Sequence, residues 1–303
     1  MEAQNRFLQL DNGYHLWTRQ VGSGNVKILA LHGGPGSNHE VWEDAHEQLK
    51  KYGLEAQVVM YDQLGSWYSE TPDFKAPTVA SRFLNYDYFL NEVEEVRQKL
   101  GWDDFYLMGH SWGGLLTQLY AAKFGEHLKG VVIASMVDDI DDYTDNLDRI
   151  LKQELSDDDY QFMKACEQQN DFHNQRYQDF VEKLNQGYVM RTQPAKIAHL
   201  VDTTNKDVYN AFQGDNEFVI TGILKDWHFG SHLSEIKRPT LITFGEHETM
   251  PVAVGKRMAQ RMPNAKFVSS PNAGHCHMVD NAPAYYQHLV EFINEVESGQ
   301  FNH

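Results

Sequence analysis

The sequence predicts an α/β protein, with a mostly parallel sheet flanked by helices and interrupted by an inserted helical segment. Three observations predict it. Short apolar runs alternate with amphipathic stretches over the first 136 residues, polar helical text occupies 137–230, and apolar runs return from 231 onward. The expected layout is therefore a core from 1–136, a helical cap over 137–230, and the remainder of the core over 231–303.

Taken in order, "HLWTRQVG" (15–22), "VKILALHGG" (26–34) and "AQVVMYDQLG" (56–65) are apolar runs that end in turn residues, the pattern of strands. Residues 86–100 carry Phe89, Leu90, Val93, Val96 and Leu100 at helical spacing and lead into a strand, "FYLMG", at 105–109. "GGLLTQLYAAKFGEHL" after Ser111 reads as a helix, and "KGVVIASM" (129–136) as a buried strand. Beyond the polar insertion come the strands "PTLITFGE" (239–246) and "AKFVSSPNAGH" (265–275), and then a closing amphipathic helix, "PAYYQHLVEFINEVE".

The chain has 303 residues, 43 of them acidic against 26 Lys plus Arg, for a formal charge of −17. Such a surface repels polyanions, so nucleic acid is not an expected partner. Cys166 and Cys276 are too far apart in sequence for a disulfide framework or a paired-cysteine metal site. The N-terminal text has no basic region followed by an apolar core, and no later run approaches ~20 apolar residues. The expectation is a cytoplasmic protein with no membrane partner.

"GHSWG" (109–113) fits the G-x-S-x-G nucleophile elbow, and it stands where that motif requires, after a strand and before a helix. Glycines are needed there because a sharp strand-to-helix turn brings backbones too close for side chains. "LHGGPG" (31–36) is a second glycine-rich loop after a strand, able to offer a backbone N–H to an oxyanion. Gly34 and Trp112, the residue after the serine, are the expected oxyanion donors. A base should follow late in the chain, and "PNAGHCHM" offers His275, with His277 read as structural. The acid should lie in the turn after "PTLITF", where "GEHETM" supplies Glu246 and Glu248 but no aspartate. Ser-His-acid chemistry calls for neither a metal nor an organic cofactor.

Together "HGGPG", "YDQLGS", "GHSWGG", "GDNEFVITGILKDW", "PTLITFGE" and "GHCHMVD" resemble the prolyl iminopeptidase family of α/β-hydrolases over nearly the whole chain. The resemblance implies release of an N-terminal residue, often proline, from short peptides with a free N-terminus. Matched position by position, Ser111 is the nucleophile, His275 the base, Gly34 and Trp112 the oxyanion hole, and Glu248 takes the place of the family's aspartate. Glu217 in "DNEF" matches the amine-binding glutamate, while Thr249 stands where some relatives carry a second one. "YDQLGS" is expected to support the floor of the site. Alternatives with the same triad are an esterase, lactonase or amino-acid amidase, and an esterase has no need of an amine-binding carboxylate at 217. A ligand receptor built on the cap cavity would not need the nucleophile.

Overall fold

The computed structural model describes residues 3–194 and 197–301. Its eight strands are β1 (Gln4–Gln9), β2 (His15–Val21), β3 (Val26–Leu31), β4 (Ala56–Tyr61), β5 (Phe105–His110), β6 (Leu128–Ala134), β7 (Thr240–Gly245) and β8 (Ala265–Ser270). They form one sheet in the order β1-β2-β4-β3-β5-β6-β7-β8. The β1–β2 and β2–β4 pairs are antiparallel and all the others are parallel.

Parallel neighbours need crossovers, and helices supply them. α1 (Ala45–Lys51) joins β3 to β4, α2 (Pro77–Phe83) and α3 (Tyr86–Leu100) join β4 to β5, and α4 (Trp112–Lys123) joins β5 to β6. Between β6 and β7 lie α5 (Ile140–Glu154), α6 (Asp157–Gln169), α7 (Gln175–Leu184), α8 (His199–Asp202) and α9 (Lys206–Phe212). α10 (Val252–Arg261) separates β7 from β8, and α11 (His277–Asp280) and α12 (Ala282–Glu297) follow β8.

The period-2 geometry of strands divides the core into two layers. Ile28, Ala30, Val58 and Met60 face a layer containing Trp42, Leu49, Tyr285 and Leu289. Their neighbours Leu29, Leu31, Val59 and Tyr61 face the opposite layer, with Phe89, Val93, Leu115 and Tyr143. Both faces of β3 and β4 are thus covered, which is why these strands read as unbroken apolar text. β1 gave no such signal: only Leu8 of its six residues is buried, and it forms the exposed edge of the sheet.

The polar stretch after β6 folds as helices because its caps and apolar stripe agree. Asp139, Ser156, Asn174 and Asn205 cap the N-termini of α5, α6, α7 and α9 by accepting backbone N–H groups. In α5, Tyr143, Leu147, Ile150 and Leu151 recur at one-turn spacing and are buried.

All parallel strands point the same way, so the residues just past their C-terminal ends gather at one edge of the sheet. That edge carries Gly33 and Gly34 after β3, Gln63 after β4, Ser111 after β5, Ser135 after β6, Glu248 after β7 and His275 after β8. The segment between β6 and β7 reaches the same edge. In its π-helical turn Asn185–Val189, the carbonyl of Tyr188 accepts the His275 N–H at 2.8 Å, and that of Val189 accepts the Cys276 N–H at 2.8 Å.

Candidate active site

Ser111 sits at φ 53°, ψ −120°, a backbone conformation that L side chains rarely adopt. Its N–H donates to the Ala134 carbonyl at 2.9 Å, and its own carbonyl accepts the Leu115 N–H at 3.0 Å. Close approach explains the glycines around it. A Cβ on Gly109 would lie 2.0 Å from the Gly113 carbonyl oxygen, and one on Gly113 would lie 2.4 Å from that of Leu31. On Gly114 it would lie 2.8 Å from Met136 Cβ.

Gly33 and Gly34 line the same cavity as Ser111. Gly34 has φ 108°, which favours glycine. Gly33, which the sequence reading passed over, packs directly on the serine: a Cβ there would lie 3.1 Å from Ser111 Cβ. The Trp112 N–H belongs to the first turn of α4, where backbone donors have no partner within the helix. Gln63 ties the two loops together. Its Oε1 accepts the Trp112 indole N–H at 2.8 Å, its Nε2 donates to the His32 carbonyl at 3.2 Å, and its N–H donates to His32 Nε2 at 3.0 Å. Through Gln63 the "YDQLGS" segment is tied to both loops.

His275 is buried, and neither of its ring nitrogens makes a hydrogen bond within the protein. Its Nδ1 is 4.0 Å from Glu248 Oε1, and its Nε2 is 4.0 Å from Glu217 Oε1. Both separations are about 1 Å beyond hydrogen-bond length. Burial lowers the His275 pKa to about 4, so the imidazole is neutral at pH 7 and free to accept a proton. Glu248 is 1 % exposed, and burial pushes its pKa well up. Its Oε2 accepts from the Ser135 hydroxyl at 2.6 Å and from the Gly245 N–H at 2.9 Å, and both bonds favour the charged form. The other candidate acid, Glu246, is exposed and accepts the Asn272 N–H at 3.4 Å, away from the imidazole.

Glu217 reaches the cavity from the segment between β6 and β7. Its carboxylate is 15 % exposed and accepts from the hydroxyls of Tyr143, Thr249 (3.3 Å) and Tyr209 (3.4 Å). Burial raises its pKa to about 7, against the opposing effect of those three donors. Thr249 thus makes a positive contribution, supplying a donor to Glu217. The cavity holding Ser111, His275 and Glu217 has a volume of about 240 Å³. Its walls include Val41, Val189 and Met190.

The segment after α7 also grips the glycine-rich loop. Ser37 Oγ donates to the Leu200 carbonyl at 3.1 Å, Asn38 Nδ2 to the His199 carbonyl at 3.1 Å, and the Asn205 N–H to the Gly36 carbonyl at 2.9 Å. His199 Nδ1 lies 2.8 Å from Glu40 Oε1.

His277, Cys276 and Ser135 were given no chemical role by the sequence. His277 bonds Ser135 and Thr243, Cys276 is buried, and Ser135 bridges to Glu248. Among the described residues, one group of possible metal ligands falls within mutual reach: Asp139, Asp141 and His228. It lies outside the cavity, and Asp139 Oδ1 is already engaged by the Asp141 N–H and His228 Nδ1.

Among the described residues, no helix is long and apolar enough to cross a membrane. The alpha/beta hydrolase fold family matches residues 27–282. A proline iminopeptidase of Saccharolobus solfataricus is 31 % identical over 302 residues, covering 98 % of this chain and 93 % of its own. One from Flavobacterium johnsoniae is 29 % identical over 295 residues, covering 95 % and 97 %. The crystal structure of the Mycobacterium smegmatis proline iminopeptidase superposes with a TM-score of 0.85 at 20 % identity, covering 98 % of this chain and 99 % of that one. The sheet order, the elbow and the match over the length of the chain agree, and the chain belongs to the proline iminopeptidase family of α/β-hydrolases.

Proposed function

We propose that the protein is a serine aminopeptidase that releases an N-terminal residue, proline foremost, from short peptides through an acyl-enzyme. The observation that carries this reading is the pairing of Glu217 with His275. A buried carboxylate 4.0 Å from the imidazole Nε2 supports an ammonium subsite beside the reacting centre. An enzyme that removes one residue needs such a fixed register, and an esterase does not. The names of the relatives favour proline as the first residue.

In this mechanism His275 takes the proton of Ser111 as the serine attacks the first carbonyl of the substrate. The backbone N–H groups of Gly34 and Trp112 stabilise the oxyanion, at roughly 3 kcal/mol per donor. Glu248 holds the imidazole in the required tautomer and stabilises the imidazolium. That imidazolium then protonates the departing amine of the shortened peptide. Water activated by His275 hydrolyses the aminoacyl ester, and Glu217 holds the ammonium throughout.

We take 137–230 as the cap, which delivers Glu217 to the cavity, between core portions 1–136 and 231–303. A cytoplasmic location is supported by two buried, free cysteines. The test is a panel of aminoacyl arylamides with proline among them, each with an N-acetylated control. Preference for free-amine substrates, with proline leading, is expected. Efficient cleavage of the acetylated controls would rule out the aminopeptidase.

A further inference from the structure

We propose that Thr243, His277 and Ser135 form a directed hydrogen-bond chain that ends on Glu248, holding the carboxylate ionised and aimed at His275. They are positioning residues, and the proposal rests on Glu248 being the acid of the triad.

With Glu248 ionised, the chain has one direction. Ser135 Oγ lies 2.6 Å from Glu248 Oε2, 3.0 Å from His277 Nδ1 and 3.0 Å from the His275 carbonyl. His277 Nε2 lies 2.8 Å from Thr243 Oγ1. All four residues are buried away from bulk solvent, so their polar atoms are satisfied mainly by one another. A hydroxyl has one hydrogen, and an ionised carboxylate can only accept. The His275 carbonyl can also only accept, and the single Ser135 hydrogen goes to the nearer, charged acceptor, Glu248 Oε2 at 2.6 Å. A bare His277 Nδ1 would then face an oxygen lone pair, so Nδ1 carries the imidazole proton and donates to Ser135 Oγ. Nε2 is left bare and accepts from Thr243. Burial lowers the His277 pKa to about 3, which keeps the ring neutral and preserves this tautomer.

Reversing the chain requires a protonated Glu248 that donates to Ser135, with Ser135 then donating to His277. The chain thus takes opposite directions in the two charge states of Glu248, and in the ionised state its Ser135 donor opposes the upward push of burial on the carboxyl. Ser135 is held for this task at φ 50°, with its N–H on the Thr243 carbonyl at 2.9 Å. The titratable groups facing Glu248 are His275 on one side, His277 through Ser135, and Glu217 from the cap, whose negative charge opposes ionisation. From α5 the neighbour is the neutral Asn146, whose Nδ2 donates to the Thr249 carbonyl at 2.7 Å.

Ser135→Gly tests the chain, since its backbone conformation suits glycine and the group lost is a single hydroxymethyl. The pH profile of kcat is the readout, because in the bound state the substrate ammonium already holds Glu217 ionised. KM should stay within about two-fold, kcat at pH 7 should fall about ten-fold or more, and the acid limb should rise by about one pH unit. Thr243→Val, which keeps the shape and removes the first donor, should shift the limb the same way by less. It carries the test if Ser135→Gly does not fold. In a Glu248→Gln background, Ser135→Gly should add no further loss in kcat. Nitrogen NMR of labelled histidines, with His277→Gln as the assignment control, should show His277 as the Nδ1–H tautomer.

An unmoved acid limb, an equal loss from Ser135→Gly with and without Glu248, or an Nε2–H tautomer at His277 overturns the chain alone. Near-normal turnover of Glu248→Gln itself overturns the triad assignment beneath it.

Discussion

Replacing Glu217 by glutamine keeps the size of the side chain and removes its charge. The carboxylate is nearly enclosed, and its three hydrogen-bond donors, Tyr143, Tyr209 and Thr249, are neutral hydroxyls. Among the described residues, the one ion-pair partner within 4.0 Å of it is the His275 ring, neutral at pH 7, so a substrate ammonium would supply the missing charge. A hydrogen bond to a charged group contributes about 1.5–3 kcal/mol and a neutral one about 0.5–1.5. The difference of about 1–2 kcal/mol predicts a loss of roughly 5- to 30-fold in kcat/KM for prolyl arylamides. An uncharged ester of similar size, which uses the same serine and oxyanion donors, should change less than two-fold. Stopped assays with the two substrates on the same preparations give the comparison. Equal losses on both would refute the amine-binding role.

The same substitution makes a second prediction, on stability. Burial lifts the Glu217 pKa from 4.5 to about 7, so folding favours its protonated form. The destabilising contribution is absent below pH 4.5, develops as pH rises from 4.5 to about 7, and levels off at about 3 kcal/mol above it. Glu217→Gln should therefore unfold at a higher temperature than the unmodified protein at pH 8 and lose that advantage at pH 5. In the unmodified enzyme, KM for free-amine substrates should climb as pH falls below about 7, and Glu217→Gln should abolish that dependence. A variant that is less stable at pH 8 would show that Glu217 is held for the fold and not for a ligand.

Ser111→Ala should remove turnover by a factor on the order of 10⁶. Ser111→Gly should be equally inactive yet more stable by about 1 kcal/mol in denaturant unfolding, because it releases the strained backbone at φ 53°. Glu248→Gln should lower kcat on the order of 10³- to 10⁴-fold with little change in KM, while Glu246→Gln should leave both near normal; the reverse outcome would move the acid to Glu246. Gly113→Ala places a methyl group 2.4 Å from the Leu31 carbonyl oxygen and should cost at least about 3 kcal/mol in the same unfolding assay.

What could be read from the sequence was whatever local chemistry forces. The elbow glycines are dictated by contacts within a few residues and to one neighbouring strand, so "GHSWGG" carries its geometry on its face. Helix α3 coincides with the predicted 86–100 because its cap, Asn85, its apolar stripe and its terminating Gly101 at φ 64° all agree. β1 escaped because an exposed edge strand with one buried side chain has no period to detect. "GEHETM" left two glutamates open because both lie in one turn, and only the path of the chain after β7 turns Glu248 inward and Glu246 toward solvent.

The environment of Glu217 was hidden for a different reason. Its partners Tyr143, Tyr209 and Thr249 come from α5, α9 and the loop after β7, and a carboxylate's nearest donors cannot be found by spacing when they lie on three separate elements. Ser135 had no motif around it either, yet it was reachable by a positional argument. Ser111, Glu248 and His275 each follow the end of a parallel strand, and so does Ser135, in "IASM". In an open parallel sheet that edge is where side chains from distant parts of the chain must converge. A polar residue just past each buried strand is therefore a site candidate before any motif is sought. Applied here, the rule finds Ser135, which ties Glu248 to the end of β6. It also explains why a small hydroxyl stands there: a short side chain on a backbone held at φ 50° can donate to Glu248 while it accepts from His277.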